Sequence, residues 1–272
     1  MTKRKLVNYL CIANMTLTAN AVDVQTFDGV HAEGVSWLFV PLVSSDPKLG
    51  TSLGAMGSYM HNFDVASPVS LFGIGGVYTS TSSTVLAAFA RTYFDENRQR
   101  LNVFAVGEKI NNDYDNFNNT GYSVQSQGEI YGVFVRDLYG ISDYWFIGAQ
   151  GAATNYVIVA EDAMSEVILD QMGLTGFDSN GLGLVVNYDS RNNVNTPSSG
   201  IYAIANNIAF RKALGGSENF DIYGLTFKQY LPFGKANVFA WKFENQWTSD
   251  APTSAYASVN LRGYTRGQVY RT

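Results

Sequence analysis

Residues 235–249 sort their side chains by parity. Phe239, Trp241, Phe243 and Trp247 alternate with Ala240, Lys242, Glu244, Gln246 and Thr248. A period of two places the aromatic set on one face of an extended strand and the charged and amide set on the other. Such a strand suits a sheet with lipid on one side and water on the other. Two further segments repeat the pattern. In 180–190, Leu182, Leu184, Val186 and Tyr188 alternate with Gly181, Gly183, Asn187 and Asp189. In 200–213, Tyr202, Ile204, Ile208 and Phe210 alternate with Ala203, Ala205, Asn207 and Arg211, and the small residues read as an interior left free for an inserted loop. Farther upstream both parities are apolar: Phe104 and Val106 oppose Leu101 and Val103, so the pattern assigns no face there.

Punctuated by turn residues, the chain divides into eleven expected strands: 34–43, 50–61, 68–79, 83–95, 100–111, 126–138, 143–158, 180–190, 200–213, 220–231 and 235–249. Their lengths suit a tilted membrane strand of about nine to eleven residues, with extensions outside it. The connections alternate in length. Asn112 to Gln125 and Val159 to Ser179 are long, whereas Asp64 to Ser67, Asp95 to Gln99, Leu138 to Ser142 and Pro232 to Gly234 are short. Long loops on one side and tight turns on the other are the habit of outer-membrane barrels. Arg191 to Ser199 is a longer connection on the short-turn side, with Pro197 and Gly200 as turn residues.

Composition agrees with alternation rather than with a soluble enzyme. Charged residues are 15%, aromatic residues 14%, and glycines number 26, with a mean hydropathy of −0.06. Apolar residues diluted by alternation give such neutral hydropathy, and no apolar run is long enough for a membrane helix. A soluble all-β protein is the competing class. The net charge of −5 argues against a nucleic-acid partner.

The first 21 residues read as an export signal. Lys3-Arg4-Lys5 is the basic start, Leu6 to Leu17 the apolar middle, and Ala19-Asn20-Ala21 the small-x-small cleavage site. Cys11, the single cysteine, falls inside it, so the exported chain needs no disulfide. Residues 22–33 read as a periplasmic tether and 34–272 as the barrel domain.

Near the end of the chain stands Leu261-Arg262-Gly263-Tyr264. It follows Asn187-Tyr188-Asp189-Ser190-Arg191-Asn192-Asn193, then Pro197 and Gly200, then Gln229-Tyr230-Leu231-Pro232. From about Gly181 to Thr272 this ordered set resembles the barrel domain of the BamA/TamA-type outer-membrane assembly and translocation family, the bacterial surface antigen family. The resemblance implies an antiparallel transmembrane β-barrel of sixteen strands, of which eleven are expected here, and a sixth extracellular loop whose Arg262-Gly263-Tyr264 tip folds into the lumen. It further implies that Arg262 grips carboxylates on strands beyond Thr272, so the chain is expected to be truncated and, expressed alone, to lack the heat-modifiable gel shift of a closed barrel. The tether leaves no room for POTRA domains, which puts the chain with barrel-only members. The function implied is outer-membrane biogenesis or transport, with outer-membrane lipids and unfolded outer-membrane proteins as partners. The alternatives are a plugged pore or a lipid-handling barrel without insertase activity, and an outer-membrane hydrolase.

Catalysis has few residues to draw on, and no enzyme activity, cofactor or metal is expected. The two histidines are His31 in the tether and His61 at the end of the second strand, with Ser58 and Asp64 nearby in sequence. Two distant histidines cannot complete a zinc site. Asp113-Tyr114-Asp115 reads as a solvated acidic loop. Tyr188, Asp189, Arg191, Pro197 and Gly200 are expected at the periplasmic rim, with Asp189 and Arg191 on one face, paired with neighbours and capping the barrel end. Lys242 and Glu244 share a face and are expected to point into the lumen, either forming a local ion pair or lining a water path. Residues 159–174 suggest a short amphipathic helix with Val167, Ile168 and Met172 on one face, either a cap over the barrel mouth or a partner-binding helix.

Overall fold

The computed structural model describes residues 36–46, 50–114, 121–171 and 176–252. The Arg262-Gly263-Tyr264 motif, the export signal and His31 lie outside these residues. Eleven antiparallel strands form one sheet in strict sequence order. They are β1 (Trp37–Asp46), β2 (Gly50–His61), β3 (Ser70–Thr79), β4 (Thr84–Phe94), β5 (Gln99–Tyr114) and β6 (Val124–Gly140), then β7 (Trp145–Ala160), β8 (Gly176–Asp189), β9 (Gly200–Phe210), β10 (Phe220–Phe233) and β11 (Asn237–Ser249). The sheet is not closed: among the described residues β1 pairs only with β2, and β11 only with β10. The expected number of strands is met, and the boundaries shift by a few residues. The ninth strand stops at Phe210 rather than 213, because Arg211 turns the chain into a short 3-10 helix, Lys212–Leu214.

The two faces differ as alternation requires. On β8, Leu182, Leu184 and Val186 are exposed, whereas Val185, Asn187 and Asp189 are buried. On β6, Tyr131, Val133 and Val135 face outward and Ile130, Phe134, Arg136 and Leu138 inward. On β11, Phe239, Trp241, Phe243 and Trp247 are exposed. The strand 200–213 reverses its expected assignment. Tyr202 lines an inner cavity, Ile204, Ile208 and Phe210 are buried, and Ala205 faces outward. The large side chains of this strand build the interior instead of facing lipid, and the alanines clear no space for a loop.

The sheet curls far enough for inner faces of distant strands to meet. Phe134, Ala152, Ile208, Phe210, Phe220 and Ile222 form one buried cluster, against which Phe104 and Phe177 pack. Phe210 and Phe220 stack with ring centroids 4.5 Å apart. Burying such side chains contributes about 1.5–3 kcal/mol each. This cluster resolves the doubly apolar fifth strand: Phe104 and Val106 face inward to join the interior clusters, and Leu101 and Val103 take the opposite parity. Outside, near the short turns, an aromatic row crosses the first strands. Trp37 lies 4.7 Å from Tyr59, and Phe63 6.2 Å from Phe94. Rings at this level suit a membrane–water boundary.

The helix falls at Ala163–Gln171, here α1. Asp162 caps it, its carboxylate accepting the Met164 and Ser165 amides at 2.9 Å each. Burial by Ser165, Ile168 and Leu169 defines the packed face, and Val167 is exposed. The expected grouping of Val167 with Ile168 is therefore corrected, while Met172 lies outside the described residues. Ile168 and Leu169 pack on Val124, Ile158 and Ala160, so α1 sits over the long-loop ends of β6 and β7.

Candidate functional site: a charged cavity near the short turns

The chemistry of the inner face concentrates near the short-turn ends of β4 to β11. Strand register explains why. Arg91 on β4 stands opposite Asn102 on β5, Asn102 opposite Arg136 on β6, and Arg136 opposite Gln150 on β7. A second row, one side of the same face, runs Asp189, Tyr202, Lys228 and Lys242 across β8 to β11. Neighbouring strands lie about 4.8 Å apart, so each row is a continuous band of polar groups. Between the rows is a cavity of about 170 Å³, lined by Arg91, Arg100, Arg136, Asn187, Arg191 and Lys228 among others.

Asp189 is the anchor. Its carboxylate accepts Arg100 Nη1 at 2.7 Å on one side. On the other it accepts Arg191 Nε at 2.8 Å and Nη2 at 2.9 Å, a bidentate fork. Both guanidiniums are walled by rings: the Arg100 Cζ lies 3.7 Å from the Phe146 centroid, and the Arg191 Cζ 4.5 Å from that of Tyr202. Aromatic faces hold weakly hydrated guanidinium groups well. Burial opposes the Arg191 charge, but the Asp189 hydrogen bonds and charge outweigh it and hold the Arg191 pKa above its ordinary value.

From Asp189 a hydrogen-bond relay runs round the rim. Arg100 Nε donates to Asn97 Oδ1 at 3.0 Å, and the Asn97 amide donates to Ser67 Oγ at 2.7 Å. The Ser67 hydroxyl donates to Asp64 Oδ2, again at 2.7 Å. Asp64 is held below the ordinary carboxylate range, first by that hydroxyl and, against the opposing effect of burial, by the Ser67, Glu96 and Ala66 amides together. The turn before β3 is thus tied through β5 to the connection after β8. In that connection Asn192 Oδ1 accepts the Ser198 and Ser199 amides, Pro197 lines the cavity, and Gly200 begins β9 with a φ of 103°. A Cβ on Gly200 would stand 2.2 Å from the Ser190 carbonyl oxygen, so the chain turns there only through glycine.

The other residues expected at the rim and in the lumen have plain positions. Tyr188 faces outward, its ring 5.1 Å from that of Trp145. Lys242 and Glu244 form an ion pair on the inner face and line the cavity. The residues missed by sequence reasoning are Arg100, Arg136, Asn187 and Gln150. Arg136 Nε donates to Gln150 Oε1 at 2.8 Å, and Gln150 Nε2 donates to Asn206 Oδ1 and to the Asn207 carbonyl. Asn207 Oδ1 accepts the Leu184 amide at 3.0 Å, just where the backbone register between β8 and β9 is interrupted. A charged or amide residue embedded in an apolar strand was the available signal for all four.

The hydrolase alternative does not assemble. His61 lies on the outer face, its ring 4.8 Å from that of Phe63, while Ser58 is buried on the opposite parity and the Asp64 carboxylate is taken by Ser67 and neighbouring amides. Among the described residues no group of three or more His, Cys, Asp or Glu could hold a metal ion.

No curated protein matches the chain in sequence. Among solved structures it is similar to BamA from Haemophilus ducreyi lacking POTRA domains 1–3, at 17% identity and a TM-score of 0.47, over 85% of this chain and 46% of that one. The chain thus spans about half the length of that solved relative. The Omp85 superfamily domain model matches residues 69–267, which include β3 to β11. The chain belongs to the Omp85 superfamily.

Proposed function

We propose that this chain is an outer-membrane β-barrel protein working in outer-membrane protein assembly or translocation. The observation that carries the reading is the division of faces in an Omp85 chain: an apolar, ring-edged outer surface and an inner surface of paired charges. A lipid bilayer is the environment that stabilises that outer surface. The short-turn end is periplasmic in this reading, and the long-loop end with α1 is extracellular. Residues 1–21 direct export, 22–33 are a tether, and 34–272 belong to the barrel domain. Tyr188, Asp189, Arg191, Pro197 and Gly200 organise the periplasmic rim, Lys242 and Glu244 line the lumen, and Arg262-Gly263-Tyr264 forms the luminal tip. Unfolded outer-membrane proteins are the proposed clients, joining a sheet edge by strand addition.

A second reading, a plugged barrel without insertase activity, is favoured by one feature. The Phe134, Phe210 and Phe220 cluster fills part of the interior and would obstruct a wide aqueous path. One experiment addresses both. The chain is depleted in its own host, and the assembly of other outer-membrane proteins is followed by their heat-modifiability. Assembly defects support the assembly role, whereas normal assembly with low single-channel conductance that rises on Arg262→Ala supports the plugged barrel. Recovery of the chain in the soluble fraction would sink both.

A further inference from the structure

We propose that the cavity beside Asp189 is a binding site for a phosphomonoester group. The inference stands apart from the assembly role, because it uses only the inner face of β4 to β11. Charge accounting starts it. Asp189 is one buried carboxylate shared by two guanidiniums, Arg100 and Arg191, and so leaves one positive charge uncompensated within that triad. Glu244, the carboxylate lining the cavity, is engaged by Lys242. Arg91 lines the same cavity half-buried, and its guanidinium makes no hydrogen bond or ion pair among the described residues. An anion entering there would be met by Arg91 and by the excess charge of the triad, in surroundings walled by Tyr93 and Tyr202 that weaken solvent screening.

Asn187 refines the ligand. It is 1% exposed and lines the cavity. Its Nδ2 donates to the Ala203 carbonyl at 2.9 Å, which fixes the amide orientation, and its Oδ1 has no hydrogen-bond partner among the described residues. A buried acceptor needs a donor. The ligand must therefore present negative oxygens to the guanidiniums and a hydroxyl hydrogen to Asn187. A phosphomonoester near its second pKa, about 6, carries both. Sulfate and a phosphodiester carry the charge without the hydroxyl, so the site discriminates against them. The cavity, about 170 Å³, accommodates a tetrahedral oxyanion. Its place near the short turns would admit either a soluble phosphate or the phosphomonoester head of a lipid.

The test uses the full chain extracted in mild detergent from the envelope of the producing cells. Phosphorus-31 line broadening of inorganic phosphate at pH 6 is titrated with and without sulfate at matched ionic strength. Broadening that sulfate fails to reverse is expected. Arg91→Gln, which breaks no side-chain hydrogen bond or ion pair among the described residues, should weaken phosphate binding about tenfold, in line with loss of one charge-assisted interaction. Asn187→Leu should bind phosphate and sulfate alike. Micelles with phosphatidic acid displacing phosphate where phosphatidylglycerol does not would identify a lipid source, and displacement by neither would identify a soluble one, both in support. Absence of broadening in the unmodified chain, equal binding by the Arg91→Gln variant, or equal displacement by sulfate would overturn the proposal.

Discussion

Arg100 and Asp189, 89 positions apart in sequence, meet at 2.7 Å on the inner face, and Arg191 grips the same carboxylate from the next connection. Removing one member of a buried ion pair costs about 3–5 kcal/mol, because the partner stays buried and uncompensated. Asp189→Asn strands two guanidiniums and should fall in that range. Arg100→Gln leaves the Arg191 fork in place and should cost less. Urea midpoints in detergent, followed by tryptophan fluorescence, give the ranking, and an Arg100→Gln variant as unstable as Asp189→Asn would contradict it.

Gly200 offers a backbone test of the same rim. Its φ of 103° and the 2.2 Å gap to the Ser190 oxygen leave no room for a side chain. Gly200→Ala should destabilise by about 1–3 kcal/mol, the ordinary cost of forcing such a conformation. Gly107→Ala is the control, since its Cβ would make only ordinary contact with Tyr131 at 3.4 Å. Equal midpoints for the two variants would refute the strain argument.

The outer face can be tested with charge. Leu184 is 71% exposed on the middle of β8, where a bilayer would cover it. Leu184→Arg should cost about 2–4 kcal/mol in phospholipid vesicles if it sits near the midplane. Lys235→Arg in the β10–β11 turn should be neutral. Refolding yields in vesicles measure both, and a neutral Leu184→Arg would place that face in water.

The α1 cap carries a pH dependence. The Ser165 hydroxyl and amide, and more weakly the Met164 amide, hold Asp162 below the ordinary carboxylate range despite a slight opposing burial effect. A depressed folded pKa means that the unfolded segment binds more protons. The cap therefore stabilises α1 above about pH 4, the unfolded carboxylate value, and loses that effect as pH falls through the lower folded value. A nitroxide label on Met164→Cys in a Cys11→Ser background should gain mobility only below about pH 4. With Asp162→Ala added, which removes the capping oxygen, it should be mobile throughout.

Strand number and the lipid-facing side of β8 and β11 were legible in the sequence, because period two exposes them whenever the opposite parity is polar or small. β9 misled because each of its parities carries one asparagine, Asn206 and Asn207, so polarity did not separate its faces and size alone was taken to mark the lipid face. Ile208 and Phe210 are large for the opposite reason: they fill the space that Gly181 of β8 leaves open. The Asp189–Arg191 pair is local and readable at two residues' separation. Arg100 is not, since its meeting with Asp189 depends on how tightly the sheet curls, which no local pattern encodes. Asn187 belongs to a readable motif, yet its orphaned oxygen emerges only once Ala203 has claimed the amide nitrogen.

The backbone ladder between β8 and β9 carries a two-residue gap. Opposite Asn207 and Ile208, the backbone pairing skips Gly183 and Leu184, and side-chain amides stand in: Asn207 takes the Leu184 amide, and Gln150 reaches the Asn207 carbonyl. A side-chain amide can swing away on its own torsions, where a backbone partner cannot leave without unravelling its strand. Backbone pairing holds β8 to β9 on both sides of this gap, at Gly181–Leu182 and at Val185–Asp189, so the removable threads give local slack inside a ladder that stays whole.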